Sequence, residues 1–330
     1  MMKKILGMGN ALTDILLQIE SDQVLSELKL PKGSMQLIDL QKLAEIRDKK
    51  DFSRSVMATG GSASNTINGI TKLGGQAGFF GKIGQDEIGS FFQNDLMANG
   101  VSSLLGYSSN PSGNCTVLVS PDGERTLCTF LGAAAELEAD DIQESIFDGY
   151  SLLHIEGYLV QNHSLIRKAV QLAKKAGLQV SIDLASYNVV EANRDFLLEM
   201  VKEYVDIVFA NEEEAKSFTG MEPGEALIQI ADHCQIAVVK IGKLGSYVKS
   251  GDEMHTIAPF MANSIDTTGA GDLYAAGFLY GLAKNLPLDI CGKIGSLVSS
   301  KVVEVLGAKM AQPVWDEIKM QIDSFVAPNN

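Results

Sequence analysis

Asp266-Thr267-Thr268-Gly269-Ala270-Gly271-Asp272 is followed at once by an apolar run of helical character. Two glycines flank an alanine at the predicted start of that helix, where unpaired backbone N–H groups and the helix dipole favour an anion. Asp272 stands directly after that anion site. A carboxylate there suits phosphoryl transfer: the N–H groups hold the charge developing on the phosphoryl group, and the carboxylate takes a proton from the attacking hydroxyl. The same residues also read as a cap, with Asp-Thr-Thr-Gly a turn and Asp272 a first-turn acid stabilised by the dipole. The rest of the chain decides between the two.

Upstream of this stretch, short apolar runs alternate with helical segments. Ile5–Met8, Ala77–Phe80, Leu152–Ile155, Val180–Ile182, Ile207–Ala210 and Ala237–Ile241 read as buried strands. Ser62–Leu73, Asp86–Asn99, Ser164–Ala176 and Glu222–His233 carry helical spacing. Short buried strands separated by helices predict an α/β fold with a mostly parallel sheet. After Asp272, three helices are expected over Leu273–Ala283, Leu288–Val305 and Val314–Phe325. Two regions break the alternation. Asn114–Ser120 and Arg125–Phe130 flank the turn Pro121-Asp122-Gly123, and Ile15–Ile38 lacks a helical period. Together, segments of about 15–38 and 104–130 are expected to form a small β-rich lid on a single domain spanning 1–330. A second hairpin, Ser246–Lys249 with Glu253–Ile257, is expected at the sheet edge.

The 330 residues are 45% hydrophobic and 21% charged, the balance of a globular chain able to bury a large core. With 27 basic and 41 acidic residues the formal charge is −14, which argues against nucleic-acid and anionic-membrane partners. A phosphate ligand remains compatible, since backbone N–H groups and a metal ion bind it locally. Cys115, Cys128, Cys234 and Cys291 have neither disulfide-motif nor zinc spacing and read as reduced thiols. Gly9, Asn10 and Asp14 interrupt the apolar start of the chain, so a first strand is expected there rather than a signal peptide, and the location expected is cytoplasmic.

Further motifs each carry two readings. Gly60-Gly61-Ser62-Ala63-Ser64-Asn65 precedes a helix: the glycines admit a ligand close to backbone and Asn65 bonds sugar hydroxyls, or the stretch is a turn with a serine cap. Asn10 and Asp14 follow the first strand, where a crevice ligand of a parallel sheet sits, or are loop polar groups. Asn211-Glu212-Glu213-Glu214 is a capped helix start or, through Asn211 and Glu214, an organiser of Mg²⁺ and its waters. Gly242-Lys243-Leu244-Gly245 is a turn or passes close to a nucleotide. A Walker phosphate loop, a nucleophile elbow and a histidine ligand pattern are all absent from the sequence, which leaves hydrolase chemistry without support.

In order, these stretches resemble the PfkB/ribokinase family of carbohydrate and nucleoside kinases. Gly60 to Asn65, continuing through Gly74-Gly75 to Gly81-Lys82-Ile83-Gly84-Gln85-Asp86-Glu87-Ile88-Gly89, is similar to the family's first signature, and Asp266 to Asp272 to its second. Asn211-x-x-Glu214 and Gly242-x-x-Gly245 fall in the expected order between them. The resemblance implies a ribokinase-like three-layer sandwich with a β-rich lid, and use of ATP with Mg²⁺. It makes Asp272 the general base and Gly269, Ala270 and Gly271 the anion hole. Asn211 and Glu214 would act on Mg²⁺ through water, and Gly242 and Gly245 would border ATP. Asn10, Asp14, Gly60, Gly61 and Asn65 would hold the acceptor, while Asp266 and Thr268 match positions that bind a monovalent cation, usually K⁺, in many relatives. Gly7-Met8-Gly9-Asn10-x-x-x-Asp14 is most similar to adenosine kinases, with Leu37, Phe130 and Tyr187 as candidate walls for a purine. The expected acceptor is therefore a nucleoside, with a free sugar as the alternative and a non-catalytic nucleotide- or sugar-binding regulator behind both. An exposed lid strand would offer an edge for homodimer pairing.

Overall fold

Strands with buried residues on both faces build the body of the protein. The computed structural model describes residues 2–49 and 55–326. In chain order the strands are β1 Ile5–Met8, β2 Leu12–Gln18, β3 Met35–Leu37, β4 Val56–Gly60, β5 Ala77–Gly84, β6 Ser102–Ser108 and β7 Gly113–Val119. There follow β8 Arg125–Phe130, β9 Leu152–Glu156, β10 Gln179–Asp183, β11 Ile207–Asn211, β12 Ile236–Lys240, β13 Ser246–Ser250 and β14 Glu253–Ile257. Nine of them form one sheet in the order β14-β13-β12-β11-β10-β9-β1-β5-β6. The pairs from β12 to β6 are parallel, and the hairpin β13–β14 closes one edge antiparallel.

Successive side chains of these strands point to opposite faces. Ile207, Phe209, Ile236 and Val238 join one apolar cluster with the helices Ser62–Lys72, Ala270–Ala283, Leu288–Val302 and Gln312–Val326. Val208, Ala210, Ala237 and Val239 join a second cluster, with His163–Lys175 and Arg194–Glu203. Helices on both faces explain why the parallel strands read as continuous apolar runs rather than alternating ones. The result is the expected three-layer α/β fold.

A second sheet, in the order β3-β8-β7-β2-β4, stands over the carboxyl ends of the first. One of its faces buries Leu17, Leu118 and Cys128 against Val24, Leu25 and Ile46. The other face carries Leu12, Asp14, Val117, Arg125, Leu127 and Thr129 toward an open crevice. The expected lid segments need two corrections. Residues 102–108 are not in this sheet but form β6, the edge strand of the large one. Val56–Gly60 supplies a fifth strand, antiparallel to β2, that the sequence reading left out. The hairpin across Pro121-Asp122-Gly123 lies where expected, with Ser120 N–H bonded to Glu124 O at 2.8 Å.

Candidate active site

Neighbouring parallel strands end in polar residues on one rim of the large sheet: β9 in Glu156, β10 in Asp183, β11 in Asn211 and β12 in Lys240. Asp183 lies level with Glu156, and Asn211 with Lys240. Strand order reverses at β1, and Asn10 follows that strand. Ligands of open parallel sheets bind outside the carboxyl ends of the strands at such a reversal. A continuous crevice of about 1430 Å³ occupies this position. It exceeds the roughly 300–1,000 Å³ of a single small-molecule site and has room for two ligands.

Asp272 sits in the first turn of helix Ala270–Ala283, behind Gly269 in the left-handed conformation (φ 76°). A side chain at Gly269 would meet the Ala308 methyl at 2.5 Å, so glycine is required by both space and backbone. Ser62 Oγ donates to one oxygen of Asp272 at 2.7 Å and Asn65 Nδ2 to the other at 3.0 Å. Thr66 Oγ1 donates to the Asp272 carbonyl at 3.0 Å. The carboxylate is thus held by the helix Ser62–Lys72 while lining the crevice. Burial pushes its carboxyl above the ordinary range, against the two side-chain donors. Of the predicted anion-hole amides, that of Ala270 is engaged with Thr267 O at 3.1 Å. The first-turn N–H groups of Gly271 and Asp272, which no α-helical bond claims, remain as donors at the helix start.

Lys240 was missed by the sequence reading. Its Nζ bonds Asp183 Oδ2 at 2.8 Å, with the two side chains only 14% and 7% exposed. It also lies 3.1 Å from where a Cβ on Gly271 would stand, which brings an ammonium to the start of the Asp272 helix. Burial disfavours its charge, but Asp183 and Glu214 outweigh that and hold its pKa above the ordinary value. Glu214 is buried and raised to about 7, by burial first and then by Asp183. It closes a reciprocal cap with Asn211: Asn211 N–H donates to Glu214 Oε2 at 2.8 Å, and Glu214 N–H to Asn211 Oδ1 at 2.9 Å. The cap reading of this pair is therefore observed, and both residues of the cap also line the crevice. Asp183, Asn211 and Glu214 offer the hard oxygens that Mg²⁺ takes. Among the described residues no cluster of three or more acidic, histidine or cysteine side chains encloses a metal directly.

At the other end of the crevice, Asn10 Nδ2 donates to the buried Glu156 at 2.6 Å, and Ala63 N–H donates to the same carboxylate at 3.1 Å. Burial raises Glu156 to about 7. Asp14, on the crevice face of β2, is raised to about 6 by burial, with Lys309 and Arg125 pulling it back. Asn65 keeps a buried side-chain oxygen without a protein partner, an acceptor well suited to a ligand hydroxyl. Gly60 does not line the crevice, but a side chain there would strike the Asp14 carboxylate at 2.6 Å. Gly61 has φ 87° and ψ 134°, and a Cβ on it would fall 2.3 Å from the Asn10 carbonyl oxygen. Gly61→Ala is expected to destabilise the protein by about 1–3 kcal/mol through strain alone and to weaken acceptor binding. Thermal melting read beside the acceptor KM checks this; an unchanged melting point would contradict it.

Gly242 and Gly245 line the far end of the crevice, with Pro259, Phe260, Met261 and Ser300. Leu37 lines the crevice, whereas Phe130 and Tyr187 are not among the lining residues. Thr268 lines the crevice and Asp266 stands behind it. Asp266 Oδ1 accepts from Thr268 N–H at 3.0 Å and Oγ1 at 2.7 Å, and Oδ2 accepts from Gly307 N–H at 2.7 Å and from Arg125 Nη1. Burial raises this carboxyl, but those donors and the Arg125 charge hold it below its ordinary value. Glu156, Asp183, Lys240 and Arg125 line the crevice without having been among the expected site residues. For the first three the available signal was a charge at the end of a largely buried strand.

Comparison with known proteins gives a consistent set. The description pfkB family carbohydrate kinase matches residues 32–315. A probable sugar kinase from Rhizobium etli superposes with a TM-score of 0.86 at 32% identity, covering 97% of this chain and 99% of that one. The adenosine kinase of Sinorhizobium meliloti gives a TM-score of 0.85 at 32% identity, covering 97% and 100%. The 5-dehydro-2-deoxygluconokinase of Bacillus subtilis is 28% identical over 305 residues, 87% of this chain and 93% of that protein.

Proposed function

The chain belongs to the pfkB family of carbohydrate kinases, and from that premise we propose that it transfers the γ-phosphate of ATP to the primary hydroxyl of a nucleoside, adenosine being favoured. The coarser activity is the family's own: phosphorylation of a sugar or nucleoside hydroxyl, with ATP and generally Mg²⁺. No helix among the described residues is long and apolar enough to cross a membrane.

The wall of the acceptor end carries the choice of a nucleoside. Its base offers Asn10, Asp14 and Asn65, while the small sheet covers it with Leu12, Leu37, Val117 and Leu127. A free sugar presents hydroxyls on every side, and an apolar cover strips their water without replacing the hydrogen bonds. A nucleoside divides into a ribose that takes the polar base of the pocket and a purine that takes the apolar cover. The adenosine kinase of Sinorhizobium meliloti supports this reading, and the sugar kinases at similar identity support the alternative of a free sugar.

In the reaction, Asp272 takes the proton from the acceptor hydroxyl while Ser62 and Asn65 hold its carboxylate. Gly271, with the start of its helix, and Lys240 stabilise charge on the transferring phosphoryl. Mg²⁺, bound beside Asn211 and Glu214, would neutralise phosphate charge. The small sheet excludes water from the acceptor, which protects ATP from hydrolysis. A Mg-ATP kinase assay across adenosine, other nucleosides, ribose, fructose and related sugars tests the acceptor. Adenosine should give the highest kcat/KM; turnover of a free sugar with none of any nucleoside would overturn the assignment.

A further inference from the structure

Asp266 is the residue at which the family resemblance expects an alkali cation, and its surroundings are wrong for one. An ionised carboxylate offers about four lone-pair sites. Here four donors meet it: Thr268 N–H, Thr268 Oγ1, Gly307 N–H and the Arg125 guanidinium. Hard cations need free oxygen lone pairs. The groups facing Asp266 are donors, and a positive charge is already in place, with Asp266 and Arg125 each 12% exposed.

We propose that Arg125 is the resident cation of this loop, so that turnover does not depend on K⁺. This rests on the kinase reading above and deepens it. Arg125 opens β8 and stands on the crevice face with Leu127 and Thr129. Asp266 lies six residues before Asp272, in the segment that turns through Gly269 into the catalytic helix. The same carboxylate ties in Gly307, next to the Ala308 methyl against which Gly269 packs. One carboxylate thus joins three segments: the sheet that covers the acceptor, the loop that orients the anion site, and the turn behind it. A diffusible cation would order the last two only. An arginine carried by the small sheet links acceptor cover to anion site, making Arg125 a positioning residue for both.

The test compares the full-length wild type with Arg125→Ala in tetramethylammonium, sodium and potassium chloride at constant ionic strength. Turnover is measured on the best acceptor, and melting temperature is read in parallel. Wild type should show the same kcat and melting temperature in all three salts. Arg125→Ala should lose kcat by roughly tenfold or more, the scale of one charge-assisted hydrogen bond, and regain part of it with added guanidinium or K⁺. It should also melt higher in K⁺ than in tetramethylammonium. Potassium activation of the wild type would overturn the proposal, as would an Arg125→Ala deficit that no cation relieves. If wild type turned over no acceptor, the kinase reading would fail instead. The melting temperatures would then decide this inference alone: a K⁺ effect confined to Arg125→Ala supports it, and one in wild type refutes it.

Discussion

Asp272→Asn should yield a folded protein that binds both substrates and turns over about 10²–10⁴-fold more slowly, the range a positioned general base supplies. The change is nearly isosteric. The new amide oxygen can accept from Asn65 Nδ2, and the new amide nitrogen can face Ser62, whose hydroxyl rotates to accept. Folding and KM are therefore expected to change little while kcat collapses. The pH profile gives a second reading. Burial raises the Asp272 carboxyl, so activity should be lost on acidification along a limb above the ordinary aspartate value of about 4. Asp14 at about 6 and Glu214 at about 7 titrate in the same region, so the observed values belong to the cluster. The acid limb should change shape in the residual activity of the asparagine variant, since one member of the coupled cluster no longer titrates. Equal turnover by the two proteins would remove Asp272 from its role as base.

Lys240→Met should damage both activity and stability, for separable reasons. The ammonium is the positive group set among Asp183, Glu214 and Asp272. Without it, the phosphate end of the crevice becomes strongly negative, and kcat is expected to fall by about 10²–10³, the scale of one electrostatic donor at a reacting oxygen. Removing one partner of a buried pair also leaves Asp183 uncompensated, at a cost of about 3–5 kcal/mol. The double variant Lys240→Met/Asp183→Asn relieves the orphaned charge without restoring the ammonium. Denaturant melts should recover most of the lost stability in the double variant, while kcat stays low. Recovery of both together would show that Lys240 only supports the fold.

How far the sequence alone reads this molecule follows from burial. β1, β5 and β9 to β12 stand out because both faces are covered, and their residues are mostly apolar. The small sheet has one apolar face and one open to the crevice, so its strands are short and mixed. β3 has three residues, two of them exposed, and β4 is half-exposed. β6 shows the same mixed burial because it is an edge strand, which is why it resembled part of the lid. The site followed a similar rule. Local motifs such as Gly269 to Asp272 announce themselves by spacing. Glu156, Asp183 and Lys240 meet only through parallel register across strands far apart in sequence, which no linear pattern carries. Asp266 was legible as a charge, but the arginine that answers it lies 141 residues away.

The two faces of the small sheet differ in what a mutation does to them. Leu17, Leu118 and Cys128 hold the sheet to its helices, whereas Leu12, Leu37 and Leu127 line the crevice. Exchanges on the open face leave the packed core, the Asp272 contacts and the Lys240 cluster as they are, and such changes usually shift stability little. On the proposed reading, substitutions on the open face would alter acceptor preference while leaving the contacts of Asp272 and Lys240 in place. A single fold can diversify among sugars and nucleosides in this way without passing through unstable intermediates.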